Sequence, residues 1–326
     1  MKTLITNAWI LTMNEQMEEY RHGYVLAEEQ ILAIGPMEDL PADVAYDRHL
    51  DARGAILMPG MVNTHTHIGM IPFRSLGDDC PDRLRRFLFP LENECMDSAL
   101  AAASGKYAIA EMQLAGVTAF FDMYYFEEAL AQAAEEMNAR ALLAETVIDS
   151  VTVDVPEPLG GLAYAERFMP KWDKHGRIRA TVAPHAPYTN TVESLQRADR
   201  LSADHGVPWT MHVSEMDFEV EQFRQQHGQT PVEFLEAIGS LEIGKQADLV
   251  LIETESVNMF PIFDPYSALV YSANAGNVRD VFIGGQQVVA DKKPVGRDIP
   301  ALREDLAAAM RESGFERKAM AAMPEK

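Results

Sequence analysis

The sequence predicts an α/β protein, with a barrel-type domain of alternating strands and helices and a small β domain built from both ends of the chain. Three observations carry this. Between about residues 58 and 237, strand-like runs alternate with helix-like ones, the pattern of a parallel sheet covered by helices. Both flanks of that region read as short strands and turns instead. At 326 residues the chain can fill one large domain and a smaller companion.

The elements follow in order. "TLITNAWIL" and "YVLAEEQILAIG" are β-like runs, and "GAILMPGMVNTH" begins a third. "MPGMVNTHTH" is the first strand of the alternating region, with helical sequence from about Cys80 to Leu114 behind it. "GVTAFFDMYY" is the second, followed by the Ala- and Glu-rich helix "EEALAQAAEEMN". "RALLAETVID" is the third, with a helix near "GGLAYAERFMPKWDKHG". "RIRATVAPHAPYT" is the fourth; its helix is expected to open on the capping pair Asn190 and Glu193 and to close at Gly206. "VPWTMHVSE" is the fifth, with helical sequence through "TPVEFLEAIG". After about Gly239 strands return in "GSLEIGKQADLVLIE" and "VRDVFIGGQQVVADKKP", and an amphipathic helix runs from Pro300 to about Arg311. The expected domains are therefore 1–57 with 239–299, then 58–238, then a helix and tail over 300–326. The count is short: a (β/α)8 barrel needs eight units over about 250 residues, and five are visible.

Composition narrows the partners. Fifty acidic against 28 basic residues give a net charge of −22, which repels nucleic acid and anionic membrane surfaces. Cys80 and Cys95 are the only cysteines, so no disulfide framework is expected and a reducing cytoplasm is the simpler compartment. "MKTLITNAWILTM" alternates and lacks an apolar h-region, and no run of 18 apolar residues occurs; neither a signal peptide nor a membrane helix is expected.

Chemically capable residues fall at the strand ends: His65 and His67, then Asp122 and Tyr124, then His185, then His212 and Glu215. Residues i and i+2 of a strand share a face, so His65 and His67 project side by side. With His212 they suit a three-ligand zinc site that leaves a coordination position for water. Metal lowers the pKa of that water towards 7, and Glu215 is placed to carry its proton to a leaving group. Asp122, Tyr124 and Tyr125 read as pocket lining or core, and Met70 and Met123 as an apolar wall. His22, His49, His175, His205 and His227 read as surface residues in turns or at helix ends.

"MPGMVNTHTH", "APHAPYT", "MHVSE", "GSLEIGKQADLVLIE" and the tail "MFPIFDPYSALVYSANAGNVRDVFIGGQQV" resemble the amidohydrolase superfamily. The nearest branch is that of methylthioadenosine/S-adenosylhomocysteine deaminases, guanine-type deaminases and triazine hydrolases. The resemblance implies a TIM-type (β/α)8 metal-dependent hydrolase barrel with a composite β-sandwich domain formed by both termini. It implies that His65, His67 and His212 bind one divalent metal, zinc or iron, with Glu215 as proton shuttle and His185 against the substrate. Glu92, closing "LFPLE", matches a position that contacts ribose hydroxyls in nucleoside-type members. The fourth strand ends without a lysine that could bridge two metals, so a mononuclear site follows.

The implied function is deamination of a nitrogen heterocycle, by metal-activated hydroxide attack on an amino-bearing ring carbon, in a cytoplasmic homo-oligomer. An acid at Glu145, where a cation often meets an amino-acid carboxylate, argues against S-adenosylhomocysteine itself; a purine, pterin, pyrimidine or triazine-like ring remains open. The sequence also departs from the family. "TPVEFLE" runs straight into "AIGSLEIGKQADL", so the sixth to eighth units, with a catalytic histidine and a metal-binding aspartate, are absent between about Glu236 and Ile238. A natural truncation, an engineered deletion and an internal segment missing from the sequence all remain open. The alternatives are thus a non-catalytic remnant that binds metal, or a chlorohydrolase or cyclic amidohydrolase using the same residues.

Overall fold

The structure is a computed structural model that describes residues 1–78, 80, 82–213, 249–259, 262 and 264–322. Glu215, His227, the helix expected through "TPVEFLEAIG" and the 236–238 junction lie outside the described residues. The chain divides into two compact units: Met1–Asn63 with Ala110–Ala119 and Ile238–Ile299, and Thr64–Ile109 with Phe120–Ala237 and Pro300–Lys326.

In the first unit, β1 (Thr3–Leu11), β2 (Glu19–Ala27), β3 (Ile31–Pro36), β4 (Arg48–Asp51) and β5 (Ile56–Pro59) come from the N-terminal side. β10 (Leu249–Ile252), β11 (Val278–Ile283), β12 (Gln286–Ala290) and β13 (Lys293–Pro294) come from the C-terminal side, with a short helix α6 (Pro265–Tyr271) before β11. They form one nine-stranded sheet in the order β13-β12-β11-β10-β5-β1-β2-β3, with β4 also paired to β1. The two ends of the chain meet where β5 runs antiparallel to β10, Ile56 opposite Ile252 and Leu57 opposite Leu251.

Alternation splits the apolar residues between the two faces of this sheet. Ile5, Ile10, Leu57, Leu251 and Phe282 join one buried cluster, while their neighbours Leu11, Ile56, Val250 and Val281 join another. Both faces are covered, which is why "LVLI" of β10 is apolar at every position. "YVLAEEQILAIG", expected as one run, is instead a hairpin of β2 and β3: the Glu28 N–H donates to Gln30 O at 2.9 Å and turns the chain.

A second sheet holds β6 (Met61–Thr66), β7 (Val117–Tyr124), β8 (Arg140–Val147) and β9 (Ile178–Pro184), and their spatial order is their sequence order. β8 and β9 run parallel, in register from Ala141 opposite Ile178 to Val147 opposite Pro184. Helices follow the strands: α1 (Phe89–Cys95) and α2 (Ser98–Leu114) after β6, α3 (Glu127–Glu136) after β7, α4 (Gly160–Trp172) after β8 and α5 (Val192–His205) after β9. This part of the protein is α/β with a parallel pair, as the alternating pattern requires.

Three local differences follow. The helix expected from Cys80 to Leu114 is broken: a π-helical turn at Leu84–Leu88 leads into α1, and Asp97 then caps α2 by accepting from the Leu100 N–H at 2.8 Å. α5 opens one residue away from the expected pair. Thr191 Oγ1 accepts from the Ser194 N–H at 3.1 Å and Ser194 Oγ from the Thr191 N–H at 3.0 Å, whereas the Asn190 amide is spent on Val147 O and Ala186 O. α5 does close at Gly206, whose φ of +61° a glycine adopts without strain. Residues 207–213, in the expected fifth strand, carry no ladder; their backbone is held by single bonds, His212 N–H to His185 O at 2.8 Å among them.

Beyond α7 (Ile299–Glu312) a further helix, α8 (Phe315–Ala322), appears where only a tail was expected. Its Phe315 is buried edge-on to Phe73, ring centroids 5.1 Å apart, and the Lys318 ammonium donates to Glu94 O at the end of α1. His22 and His49 lie within β2 and β4 rather than in turns, and His175 and His205 are half-buried beside Glu135 and Asp173. Among the described residues, no helix is long and apolar enough to cross a membrane.

Candidate metal centre

β6 ends in "THT" and carries His65, His67 follows at the bend just beyond it, and their ring centroids lie 4.9 Å apart. The segment running beside the end of β9 brings in His212, whose ring lies 4.9 Å from that of His65 and 5.1 Å from that of His67. Thr181 Oγ1 donates to Pro208 O at 2.7 Å and helps to hold that segment in place. One nitrogen from each of the three imidazoles lies within 4.8 Å of the other two. Zinc–nitrogen bonds of about 2.05 Å in a tetrahedron put ligand nitrogens about 3.3 Å apart, so closure on an ion needs side-chain shifts of at most about 1.5 Å.

The protonation states suit a cation. Met123 O can only accept, so the 2.5 Å contact from His67 Nδ1 places the ring proton there and leaves Nε2 with its lone pair. Burial, with His65 adding to it, holds His212 down at about 4, so its ring is neutral at pH 7. His185 follows β9 and is almost fully buried, its ring 4.9 Å from that of His212. Burial lowers it to about 3, and Thr189 Oγ1 lies 3.1 Å from its Nδ1. A neutral His212 and a His67 whose Nδ1 is engaged by a carbonyl are donors of the kind a divalent ion takes.

Beside the histidines is a cavity of about 260 Å³ with Met70, Leu84, Phe89 and Met123 as its apolar wall. Glu92, on α1, lines it too, only 4% exposed and accepting from the Tyr124 hydroxyl at 2.7 Å. Burial pushes Glu92 up to about 7, and the Tyr124 bond partly offsets this. The Tyr124 ring lies against Gly69: a Cβ there would come within 2.3 Å of two ring carbons. A second cavity of about 290 Å³ in the first unit is lined by alternating charges, Arg53, Glu253, Arg279 and Lys292 among them, without converging imidazoles. The chemistry belongs with the histidines.

Glu145 needs a correction. β8 alternates, so Thr146 faces the cavity while Glu145 is fully buried away from it. Burial, then Asp154, raises its carboxyl well above the ordinary range, so it is neutral. Its acidity therefore says nothing about which substrate is taken.

The sequence reads Asp122 as pocket lining or core and gives the Met123 carbonyl no role, yet both grip the end of β6: Asp122 Oδ1 accepts from Thr66 Oγ1 at 2.5 Å and from the Ile68 N–H at 2.7 Å. A carboxylate inside the otherwise apolar run "AFFDMYY" was the available signal.

A sequential sheet with three convergent imidazoles at the ends of its strands is what one family of hydrolases would lead one to expect, and the chain belongs to it: the amidohydrolase family model matches residues 56–239 and 235–288. Within that family the chain is 36% identical over 241 residues to the 5-methylthioadenosine/S-adenosylhomocysteine deaminase of Syntrophobacter fumaroxidans, covering 73% of this chain and 55% of the relative. With the enzyme of the same name from Aquifex aeolicus it is 36% identical over 195 residues, 59% of this chain and 45% of the relative. The chain thus spans about half the length of the curated relatives it matches. An adenosine deaminase from Xanthomonas campestris with bound zinc superposes with a TM-score of 0.88 at 21% identity, over 96% of this chain and 98% of that one. A zinc complex of atrazine chlorohydrolase from Arthrobacter aurescens gives 0.81 at 14%, over 94% and 100%. At such identities the likeness speaks for the fold.

Proposed function

We propose that this chain is a metal-dependent aminohydrolase, a hydrolase of C–N bonds other than peptide bonds, which releases ammonia from an amino-bearing nitrogen heterocycle. The observation that carries the reading is the meeting of His65, His67 and His212, with His212 neutral and the His67 proton committed to Met123. A divalent ion held there, zinc before iron, would supply Lewis acidity and a water acidified towards neutral pH. The chain's own residues do the rest. His185 forms the wall against the substrate ring, and Met70, Phe89 and Met123 exclude water from its apolar face. Glu92 and Tyr124 present a buried polar pair to substituents of that ring. Glu215, three residues past His212, moves a proton from the attacking water to the departing amine.

The same reading takes the described sheet as part of a (β/α)8 barrel, supported by its consecutive strand order, and the nine-stranded unit as the composite β-sandwich of both termini. It places a homo-oligomer in the cytoplasm, acting on a small molecule and on neither nucleic acid nor membranes. A chlorohydrolase or cyclic amidohydrolase would share this site and differ in the leaving group, and a chain without turnover would keep only the metal.

Elemental analysis of the purified chain, combined with ammonia release from a panel, tests the reading. The panel holds 5-methylthioadenosine, S-adenosylhomocysteine, adenosine, guanine and a chlorinated triazine. About one metal per chain, with ammonia release lost in Glu215→Gln, supports it. Metal without release of ammonia or chloride from any compound supports the remnant. Full metal content in a His65→Ala, His67→Ala double variant overturns the site.

A further inference from the structure

His67 sits at a bend. Its φ of −133° and ψ of 76° belong to no regular element, and it joins β6 to a 3-10 turn at Ile68–Phe73. Nothing in its own backbone conformation fixes the direction of its ring. β7 fixes it instead, through three consecutive residues. Asp122 Oδ1 accepts from Thr66 Oγ1 and the Ile68 N–H, Met123 O accepts from His67 Nδ1, and Phe121 O lies 3.1 Å from the same Thr66 hydroxyl. The Asp122 carboxylate thus grips residues i−1 and i+1 of His67 with one oxygen atom.

We propose that Asp122 is a positioning residue for the metal centre, holding the bend at Thr66–Ile68 so that His67 presents Nε2 to the ion. The inference rests on the metal-site reading above. Three features make the grip rigid. Asp122 is fully buried, so water does not compete for the oxygen. Carboxylate acceptors form shorter, stronger bonds than neutral ones, consistent with 2.5 and 2.7 Å here. Burial raises the carboxyls of both Asp122 and Glu127 above the ordinary range. Glu127 in turn accepts from the Tyr124 N–H at 2.9 Å and anchors the chain beyond β7. Without Asp122 the Met123 carbonyl would hold the ring from a backbone no longer tied to it.

Zinc affinity of the metal-stripped chain, measured by competition with a chromophoric chelator, is the test; circular dichroism of the stripped chain reports folding separately. Asp122→Ala is expected to weaken zinc binding about 10- to 100-fold, the range typical of lost outer-shell partners. Asp122→Asn keeps an acceptor oxygen for Thr66 and Ile68 and can donate its amide to Glu127, so affinity is expected within about threefold of wild type. Thr66→Val removes one of the two donors and is expected to fall between them; it decides the matter if Asp122→Ala does not fold. Wild-type zinc affinity in folded Asp122→Ala, or in Thr66→Val where Asp122→Ala is unfolded, overturns the proposal even if the variant melts earlier. A wild-type chain without zinc affinity overturns the metal reading itself, and is distinguished because no variant is then needed to see it.

Discussion

Replacing Glu92 with glutamine should change how stability depends on pH by a calculable amount. Burial raises the Glu92 carboxyl to about 7 in the folded chain from an ordinary 4.5. Below pH 4.5 both folded and unfolded chains hold the proton, and the stabilisation is fully present. Between 4.5 and about 7 only the folded chain holds it, so stability falls as pH rises, by about 1.4 kcal/mol per pH unit. Above about 7 both forms are ionised and the slope vanishes. Over that interval Glu92 removes about 3 kcal/mol. Glutamine has the same shape, cannot ionise, and its carbonyl still accepts from Tyr124. Urea unfolding followed by tryptophan fluorescence, at intervals from pH 4.5 to 8.5, gives both curves, and contributions shared by the two proteins cancel in the difference. The variant should gain on wild type by about 3 kcal/mol across the range, mostly before pH 7.5. Parallel curves would refute the reasoning, because they would mean that Glu92 is hydrated or ionised throughout.

Gly69→Ala forces the Tyr124 ring off its seat and breaks its bond to Glu92, so a loss of about 1–3 kcal/mol is expected in the same unfolding assay. Adding Tyr124→Phe to that variant should cost less than it does in wild type, since the bond is already lost. Thr191→Ala removes the α5 cap and should cost about 1 kcal/mol, whereas Glu193→Ala, at the position first expected to complete the cap, should be near neutral.

Periodicity made most of the fold legible. An alternating strand or a helical stripe is written in the residues that form it, so β7, β8, β9, α3 and α4 lie where their patterns run. What could not be read depended on partners distant in sequence. Asn190 looks like a cap until the carbonyls of Val147 and Ala186 claim its amide. Phe315 looks like tail until Phe73 receives it. At the site, the spacing of His65 and His67 puts two imidazoles side by side in an extended strand, but β6 ends at Thr66 and the His67 ring takes its direction from β7. The orientation of Glu145 was recoverable too, because Thr146 facing the cavity turns its neighbour away, but only once the register of β8 is known. Asp122 was visible as a charge in an apolar run; the groups it holds, 54 and 56 residues earlier, were not.

The tip of β7 crowds unrelated duties into adjacent codons: Asp122 and the Met123 carbonyl brace one imidazole, and Tyr124 tethers Glu92 in the cavity wall. Under the proposed function, altering ligand preference through Tyr124 therefore disturbs a strand that also steadies His67. Evolution of new preferences on this scaffold should run more freely through Leu84 and Phe89, which border the same chamber from a different stretch of chain.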